Sequence, residues 1–468
     1  MSDITLWDYQ DDLVGRVRAS MRYHKWVLMQ SATGSGKTIM GAKMIQNAVK
    51  KGTTCTFIVP RRELLKQTAK TFRNFDIQYG IISSGYAPNP FPKVQLATVG
   101  SLARRLDKVA VPKLIFPDET HFGKSELDRI IKWGKAGGAY GVGLSATPQK
   151  TDGTGLDIWY DHMEKGPTIR ELMDNGDLSD YRPFAVDHPD MGGVKVIGGD
   201  YSKSQLSNRM ESDNVLTGSA VKHYKENAYG KLNIAFCTSI KHAELVAKEF
   251  REKGVSAQCI HGKMDDKERT RLIIGFARRE ILVLTCADLL IFGFDLAAAV
   301  DMEVTVECLS DLAPSKSLPK QIQKWGRAFR KKDCPAILFD HAGNFKEHGL
   351  PDDEQEWTLS GKEKKKRGEQ DEPTTPTRQC QQCYFVHRPA PVCPNCGNMY
   401  PVQARMLEEV EGDLIELKSR VKEQKKEARI EQGRTEGYAN LVALGVSKGY
   451  KNPDAWARNV MKGRNAKR

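Results

Sequence analysis

Ser31-Ala32-Thr33-Gly34-Ser35-Gly36-Lys37-Thr38 follows an apolar run, Trp26-Val27-Leu28-Met29-Gln30, and precedes a helical pattern that opens at Ile39. A loop with glycines at 34 and 36 can turn its backbone N–H groups inward toward phosphate oxygens, with Ser35 completing the cradle. Lys37 then reaches terminal phosphates, and the Thr38 hydroxyl can ligate magnesium. The following helix adds its positive N-terminal dipole. The strict form of such a loop begins with glycine, and here that position is Ser31. An ordinary strand-turn-helix is the alternative, and the rest of the chain decides between them.

Outward from the loop, short β-rich runs alternate with helical patterns. Thr54 to Val59, Val94 to Ala97, Leu114 to Phe116 and Tyr140 to Leu144 read as strands. Such alternation predicts an α/β fold with a doubly wound parallel sheet, whose ligands sit beyond the carboxyl ends of the strands. Polar clusters fall at those ends: Pro60-Arg61-Arg62-Glu63, Thr98-Val99-Gly100-Ser101, Asp118-Glu119-Thr120-His121 and Ser145-Ala146-Thr147-Pro148. Hydrolysis of a phosphoanhydride needs a metal and a group that orients the attacking water. Asp118 is the candidate magnesium ligand and Glu119 the candidate base; a helix-capping pair of acids is the alternative. Pro117 is tolerable at a strand end, where a missing donor matters least.

These motifs, in this order, resemble superfamily 2 helicases and translocases of the DEAD/DEAH-box type, with Asp118 to His121 as a DETH variant. The resemblance implies two tandem RecA-like domains and ATP with Mg2+ as cofactor. It assigns Gln10, in Tyr9-Gln10, to the adenine, and His121, Ser145 and Thr147 to coupling between nucleotide state and domain closure. The wording from Glu171 to Arg182, then Gly199-Asp200, is similar to the RadD-like branch of bacterial and phage DNA helicases.

A second alternation runs from Leu232 to Asp340: strands Asn233 to Phe236, Ala257 to Ile260 and Ile281 to Leu284, with helices Lys241 to Lys253 and Lys267 to Ala277. The stripe Ala243, Val246 and Phe250 is core. The resemblance places nucleic acid along Arg61, Thr98, His261 and Thr285; a turn-forming role is the alternative for His261. Gly293-Phe294-Asp295 is similar to the fifth family motif, with Asp295 toward the nucleotide, although Phe292 and Ala297 depart from the pattern. Gln323-Lys324-Trp325-Gly326-Arg327-Ala328-Phe329-Arg330 fits the sixth motif. Gln323 is then cofactor-binding, and Arg327 and Arg330, three apart on one helical face, are arginine fingers.

The expected organisation is an ATP-binding domain over 1–150, a connector over 151–216, a second RecA-like domain over 217–345, a flexible linker over 346–378, a zinc ribbon over 379–400 and a basic helical tail over 401–468. Cys380, Cys383, Cys393 and Cys396 have C-x2-C-x9-C-x2-C spacing, which suits one Zn2+ held by four thiolates, with His387 outside the set. The other six cysteines read as buried, reduced side chains. Leu407, Val410, Leu414, Leu417 and Val421 predict an amphipathic helix. Tyr450 and Trp456 either stack on bases or form a small aromatic core.

Of 468 residues, 40% are apolar and 28% charged, as in ordinary soluble proteins. The net charge is +13, and Gly361 to Arg468 alone carries 22 Lys/Arg against 14 Asp/Glu, which predicts a polyanionic partner. No apolar run reaches the ~20 residues of a membrane span, and Met1 to Asp12 has no leader-like segment. The setting expected is cytoplasmic, bacterial or that of a phage-infected host. The function expected is an ATP-dependent DNA helicase or translocase, with replication or repair proteins as possible partners. An RNA helicase, or a nucleic-acid-binding protein with a degenerate ATPase core, is the alternative.

Overall fold

The computed structural model describes residues 4–122, 125–150, 152–185, 193–211, 214–291, 296–300, 302–361, 376–400, 431, 435, 437–448 and 452–465. The first sheet holds β1 (Trp26–Gln30), β2 (Cys55–Val59), β3 (Tyr79–Ile82), β4 (Val94–Thr98), β5 (Leu114–Pro117), β6 (Tyr140–Ser145) and β7 (His162–Lys165). Its order is β3-β4-β2-β5-β6-β1-β7, and every pairing is parallel. Strands buried on both faces supply two cores. Along β1, Val27 and Met29 join one cluster while Trp26 and Leu28 join the other.

β8 (Tyr181–Ala185) precedes a short hairpin of β9 (Val196–Ile197) and β10 (Asp200–Tyr201). β11 (Asn233–Phe236), β12 (Ala257–Cys259), β13 (Val283–Cys286), β14 (Cys308–Asp311) and β15 (Ala336–Asp340) follow. The second sheet runs β12-β13-β11-β14-β15-β8, again all parallel. Helix Ile240–Glu252 buries Ala243, Val246 and Phe250, the stripe read from the sequence. Two tandem RecA-like domains of parallel sheet and flanking helices are thus present.

Two stretches differ from expectation. Residues 151–216 do not merely connect, because they give an edge strand to each sheet, β7 to the first and β8 to the second. Pro183 lies in β8, where an edge strand tolerates a missing donor. Residues 350–361, which fall within the linker expected over 346–378, are held. Trp357 packs on a core of the second domain and Leu359 on one of the first, and the Leu359 carbonyl accepts N–H groups of Leu156 at 2.7 Å and Asp157 at 3.1 Å. The rest of that linker, 362–375, lies outside the described residues.

β16 (Arg378–Gln379) and β17 (Val386–His387) pair in the four-cysteine segment. That segment covers the open edge of β8: Gln379 Nε2 donates to the Ala185 carbonyl at 2.8 Å, Ala185 N–H donates to the Tyr384 carbonyl at 3.0 Å, and Phe184 meets Phe385 edge-on at 5.5 Å.

Residues 402–468 form a separate compact unit. Within it, helices Tyr438–Ser447 and Pro453–Asn465 meet where Gly445 faces Pro453 and the half-buried Trp456. The helix expected from Leu407 to Val421, and Tyr450, lie outside the described residues. Among those described, no helix is long and apolar enough to cross a membrane.

Candidate active site

β1 ends at Gln30, and the loop that follows is tied to β6 by the Ser31 N–H on the Ser145 carbonyl at 3.0 Å. Gly34 and Gly36 have φ of +89° and +81°, a region that favours glycine. Ser31 fits because its buried hydroxyl donates to Ser35 Oγ at 2.7 Å and closes the loop from inside. Helix Lys37–Lys50 starts at Gly36 without a side-chain cap, which leaves its first N–H groups facing the loop. Lys37 is buried, and its ammonium donates to the carbonyls of Ser31 at 3.3 Å and Ala32 at 3.2 Å.

Gln10 and Tyr9 reach the same loop. Gln10 Nε2 and Tyr9 OH each donate to the Ser35 carbonyl at 2.9 Å, and Gln10 Oε1 accepts the Trp7 N–H at 3.1 Å. The amide of Gln10 therefore braces the loop.

β5 carries the carboxylates. Asp118 N–H continues the strand pairing onto the Ile58 carbonyl, and Asp118 Oδ1 accepts the Glu119 N–H at 2.9 Å. Thr38 Oγ1 lies 3.4 Å from Asp118 Oδ2, an all-oxygen pair of the kind magnesium prefers. Burial, then the charge of Glu119, pushes the Asp118 carboxyl up to about 7, with Lys37 opposing. Glu119 is held at φ +46°, a left-handed conformation that a non-glycine residue seldom adopts.

His121 is 3.5 Å from Glu119 Oε2 and 2.8 Å from Ser145 Oγ, both through Nδ1. Ser145 Oγ donates its one proton to the Thr147 carbonyl at 2.8 Å, so it accepts from His121 Nδ1–H. Burial lowers the His121 pKa to about 4, which leaves the ring neutral at pH 7. His121, Ser145 and Thr147 are thereby one buried chain of hydrogen bonds.

The sixth-motif residues come from the second sheet's side. Helix Leu318–Trp325 ends before the arginines, so Arg327 and Arg330 do not share a helical face as the sequence predicts. Past Gly326 the chain continues in tighter turns, with the Arg327 N–H on the Lys324 carbonyl and the Ala328 N–H on the Trp325 carbonyl. A Cβ at Gly326 would lie 2.3 Å from the Thr33 side chain, so glycine lets this segment approach the phosphate loop. Arg327 donates to the Ile291 carbonyl at 3.0 Å, and Arg330 pairs with Leu178. Gln323 Nε2 donates to Glu119 Oε2 at 3.3 Å.

A cavity of about 670 Å³ is lined jointly by Gly34, Gly36, Lys37, Thr38, Asp118 and Glu119 from one side and by Gln323, Arg327 and Arg330 from the other. Two glycines where side chains would intrude, an oxygen pair for a hard cation and a buried ammonium make a donor set that fits a magnesium nucleotide. Asp295 lies outside the described residues. Lys324 was not singled out by the sequence reading. It is wholly buried, and its ammonium bonds Asp311 Oδ1 at 2.8 Å and the Ala313 carbonyl at 2.7 Å, which fixes the helix that leads to the arginines.

A second cavity, about 530 Å³, runs past Pro60, Arg61, Gly100, Lys150 and Gly198. Arg61 is exposed and His261 half-buried. Thr98 and Thr285 turn inward instead, Thr98 Oγ1 to Ser83 Oγ at 3.4 Å and Thr285 Oγ1 to the Ala243 carbonyl at 2.7 Å. In the four-cysteine segment the sulfur atoms lie within 4.8 Å of one another, with Cys380–Cys396 and Cys383–Cys393 both at 3.7 Å. A tetrahedron with ~2.3 Å metal–sulfur bonds has edges of about 3.8 Å, so the four sulfurs suit one metal ion. His387 points away from it, with Nδ1 on the Arg388 carbonyl and Nε2 accepting from Tyr400 OH.

Residues 3–150 match the type III restriction enzyme res subunit family, and residues 217–332 match the helicase conserved C-terminal domain. A 51.5 kDa protein of Lactococcus phage (isolate 7-9) is 30% identical over 382 residues, 81% of this chain and 76% of the relative. An ATP-dependent RNA helicase DHH1 of Vanderwaltozyma polyspora is 34% identical over 80 residues, 16% of each chain. The structure of the ATP-dependent type ISP restriction-modification enzyme LlaBIII bound to DNA superposes with a TM-score of 0.53 at 16% identity, over 72% of this chain and 28% of that one.

Proposed function

The chain belongs to superfamily 2 of the helicases, and on that premise we propose that it is an ATP-dependent DNA helicase or translocase. The observation that carries the reading is the cavity shared by Lys37, Thr38, Asp118 and Glu119 with Gln323, Arg327 and Arg330. Bound magnesium ATP supplies a phosphoanhydride to cleave and a cation that offsets charge on its phosphates. Gly34, Ser35, Gly36 and Lys37 hold the phosphates, while Thr38 and Asp118 hold Mg2+. Glu119 orients a water molecule and takes its proton. Arg327 and Arg330 offset developing charge only while the two sheets are together, which ties hydrolysis to domain motion. His121, Ser145 and Thr147 link the carboxylates to β6, and Gln10 keeps the phosphate loop in shape.

DNA passes Arg61 on the first domain and His261 on the second, while Thr98 and Thr285, buried at their strand ends, act from behind that path. The DNA-bound restriction enzyme supports DNA, and the 80-residue likeness to an RNA helicase favours the RNA alternative. We assign Zn2+ to Cys380, Cys383, Cys393 and Cys396. The phage relative is consistent with a bacterial cytoplasm as the setting; replication or repair proteins as partners are part of the proposal.

ATP turnover measured with single-stranded DNA, duplex DNA, forked DNA and RNA as separate activators tests the reading. DNA-stimulated turnover that disappears in Lys37→Ala is expected. Stimulation by RNA alone replaces DNA with RNA, and no turnover with nucleic-acid binding retained sinks the catalytic reading.

A further inference from the structure

Residues 350–361 cross from the second domain back to the first, and the crossing has no slack. Leu350 is buried in the same core as Leu318, Ile322 and Trp325, and Trp357 packs on that core. Asp353 Oδ2 accepts the Leu350 N–H at 2.8 Å, Asp353 Oδ1 accepts from Arg388 Nη2 at 3.3 Å, and the Tyr181 hydroxyl donates to Asp352. Only Thr358 separates Trp357 from Leu359, which packs on a core of the first domain. The Leu359 carbonyl holds the Leu156 and Asp157 N–H groups, and Gly361 pairs with Thr154. A Cβ at Gly155 would lie 2.2 Å from the Leu359 carbonyl oxygen, so backbone meets backbone here. An extended chain spans at most ~7 Å between Trp357 and Leu359, so the two cores cannot part at this place while both ends stay attached.

The restraint matters because the domains pack loosely beside it. A cavity of about 380 Å³ is lined by Ala32 and Ala146 of the first domain, by Ile322 and Trp325 of the second, and by residues 350–358 themselves. Side chains that face a void forfeit contacts, so packing alone holds the domains weakly there. Ala32 belongs to the phosphate loop, and helix Leu318–Trp325 leads to Arg327 and Arg330. The crossing segment therefore ties together the elements that carry the two halves of the nucleotide cavity. Its ends are unequal. Leu350, Pro351 and Asp353 are buried, whereas Leu359 is half-buried and Ser360 exposed, so the first-domain end gives way first.

We propose that residues 350–361 are a strap that keeps Arg327 and Arg330 near the phosphate loop when the nucleotide cavity is empty, with Leu359 as its detachable end. The proposal rests on the helicase reading, which requires the two domains to close and part. Leu359 is a positioning residue on this account. The strap raises the fraction of molecules already closed, and apparent nucleotide affinity rises with that fraction.

The test uses the full-length protein with a fluorescent donor at Lys51 and an acceptor at Lys248, exposed positions on the first and second domains. Both are attached through non-natural amino acids, which leaves the native cysteines alone. Leu359→Asp detaches the strap from its own side, and Gly155→Ala pushes it off from the other. Both variants should lower energy transfer without ligand and raise KM for ATP severalfold, because fewer molecules are closed beforehand. Melting temperature, and kcat at saturating ATP and DNA, should stay near wild type, and Leu359→Met should match wild type throughout. Wild-type energy transfer and KM in both variants overturn the strap and leave the helicase reading standing. A fall in melting temperature and kcat without a fall in energy transfer means that Leu359 only supports the fold, which also overturns it. Lowered energy transfer in both variants, with a wild-type protein whose ATP turnover no nucleic acid stimulates, overturns the helicase reading and leaves the strap as a tether between the domains.

Discussion

Gln323 Nε2 donates to Glu119 Oε2 at 3.3 Å, so the carboxylate at the end of β5 is held from the other domain. A hydrogen bond to a charged group contributes roughly 1.5–3 kcal/mol, and about 1.4 kcal/mol is tenfold in rate. Gln323→Ala should therefore lower kcat for ATP about tenfold or more, with a smaller change in KM. Gln323→Glu should lower it further, because a second carboxylate would face the first. Steady-state ATPase assays at saturating DNA measure both, and an unchanged kcat in both variants removes Gln323 from the site.

Gly36 is constrained twice. Its φ is +81°, and a Cβ there would lie 2.6 Å from Gln10 Nε2. The left-handed backbone alone costs a side chain roughly 1–2 kcal/mol. Gly36→Ala should weaken binding of a fluorescent ATP analogue by at least about tenfold. Adding Gln10→Ala removes the collision and leaves the backbone cost, so the double variant should recover part of the affinity. Full recovery would show that the collision alone matters, and no recovery that the backbone alone does.

The parts of this site that could be read from the sequence were those that local order dictates. Glycines before Lys37-Thr38, paired acids after an apolar run and four cysteines at metal spacing carry their chemistry in short stretches. β1, β2 and β11 were equally plain, since strands buried on both faces are continuous apolar runs. Edge strands were not. β7 is His-Met-Glu-Lys with no buried residue, and β8 contains Pro183. Tertiary facts were beyond reach as well: the Ser31–Ser35 bond that excuses a missing glycine, the burial of Lys324 on Asp311, and the close approach of Gly326 to Thr33 just before the arginines.

Asp118 gives the site a pH dependence with a definite sign. Burial, and then Glu119, raises its carboxyl to about 7 in the absence of metal. Magnesium binds the ionised form, so protons compete with it. Below about pH 7 the Mg2+ concentration for half-maximal ATPase should rise, approaching tenfold per pH unit, and above pH 7 it should level off. Titrations of Mg2+ at pH 6, 7 and 8 read this directly. A half-maximal concentration that stays flat from pH 6 to 8 would mean that Asp118 is already ionised at pH 6.

Zinc should matter to the second domain as well as to its own short segment. Cys380, Cys383, Cys393 and Cys396 belong to a stretch too small for a core of its own, so a bound metal would supply its folding energy. That stretch seals the edge of β8 through Gln379, Tyr384 and Phe385. An uncovered edge presents unpaired backbone groups to other chains. The purified protein should hold about one equivalent of zinc. Cys393→Ser, or removal of the metal by a chelator, should lower the melting temperature and promote association measured by light scattering. ATP binding should be largely spared, because none of the four cysteines lines the shared cavity. If zinc leaves with no change in melting or association, the covering of β8 does not depend on the metal.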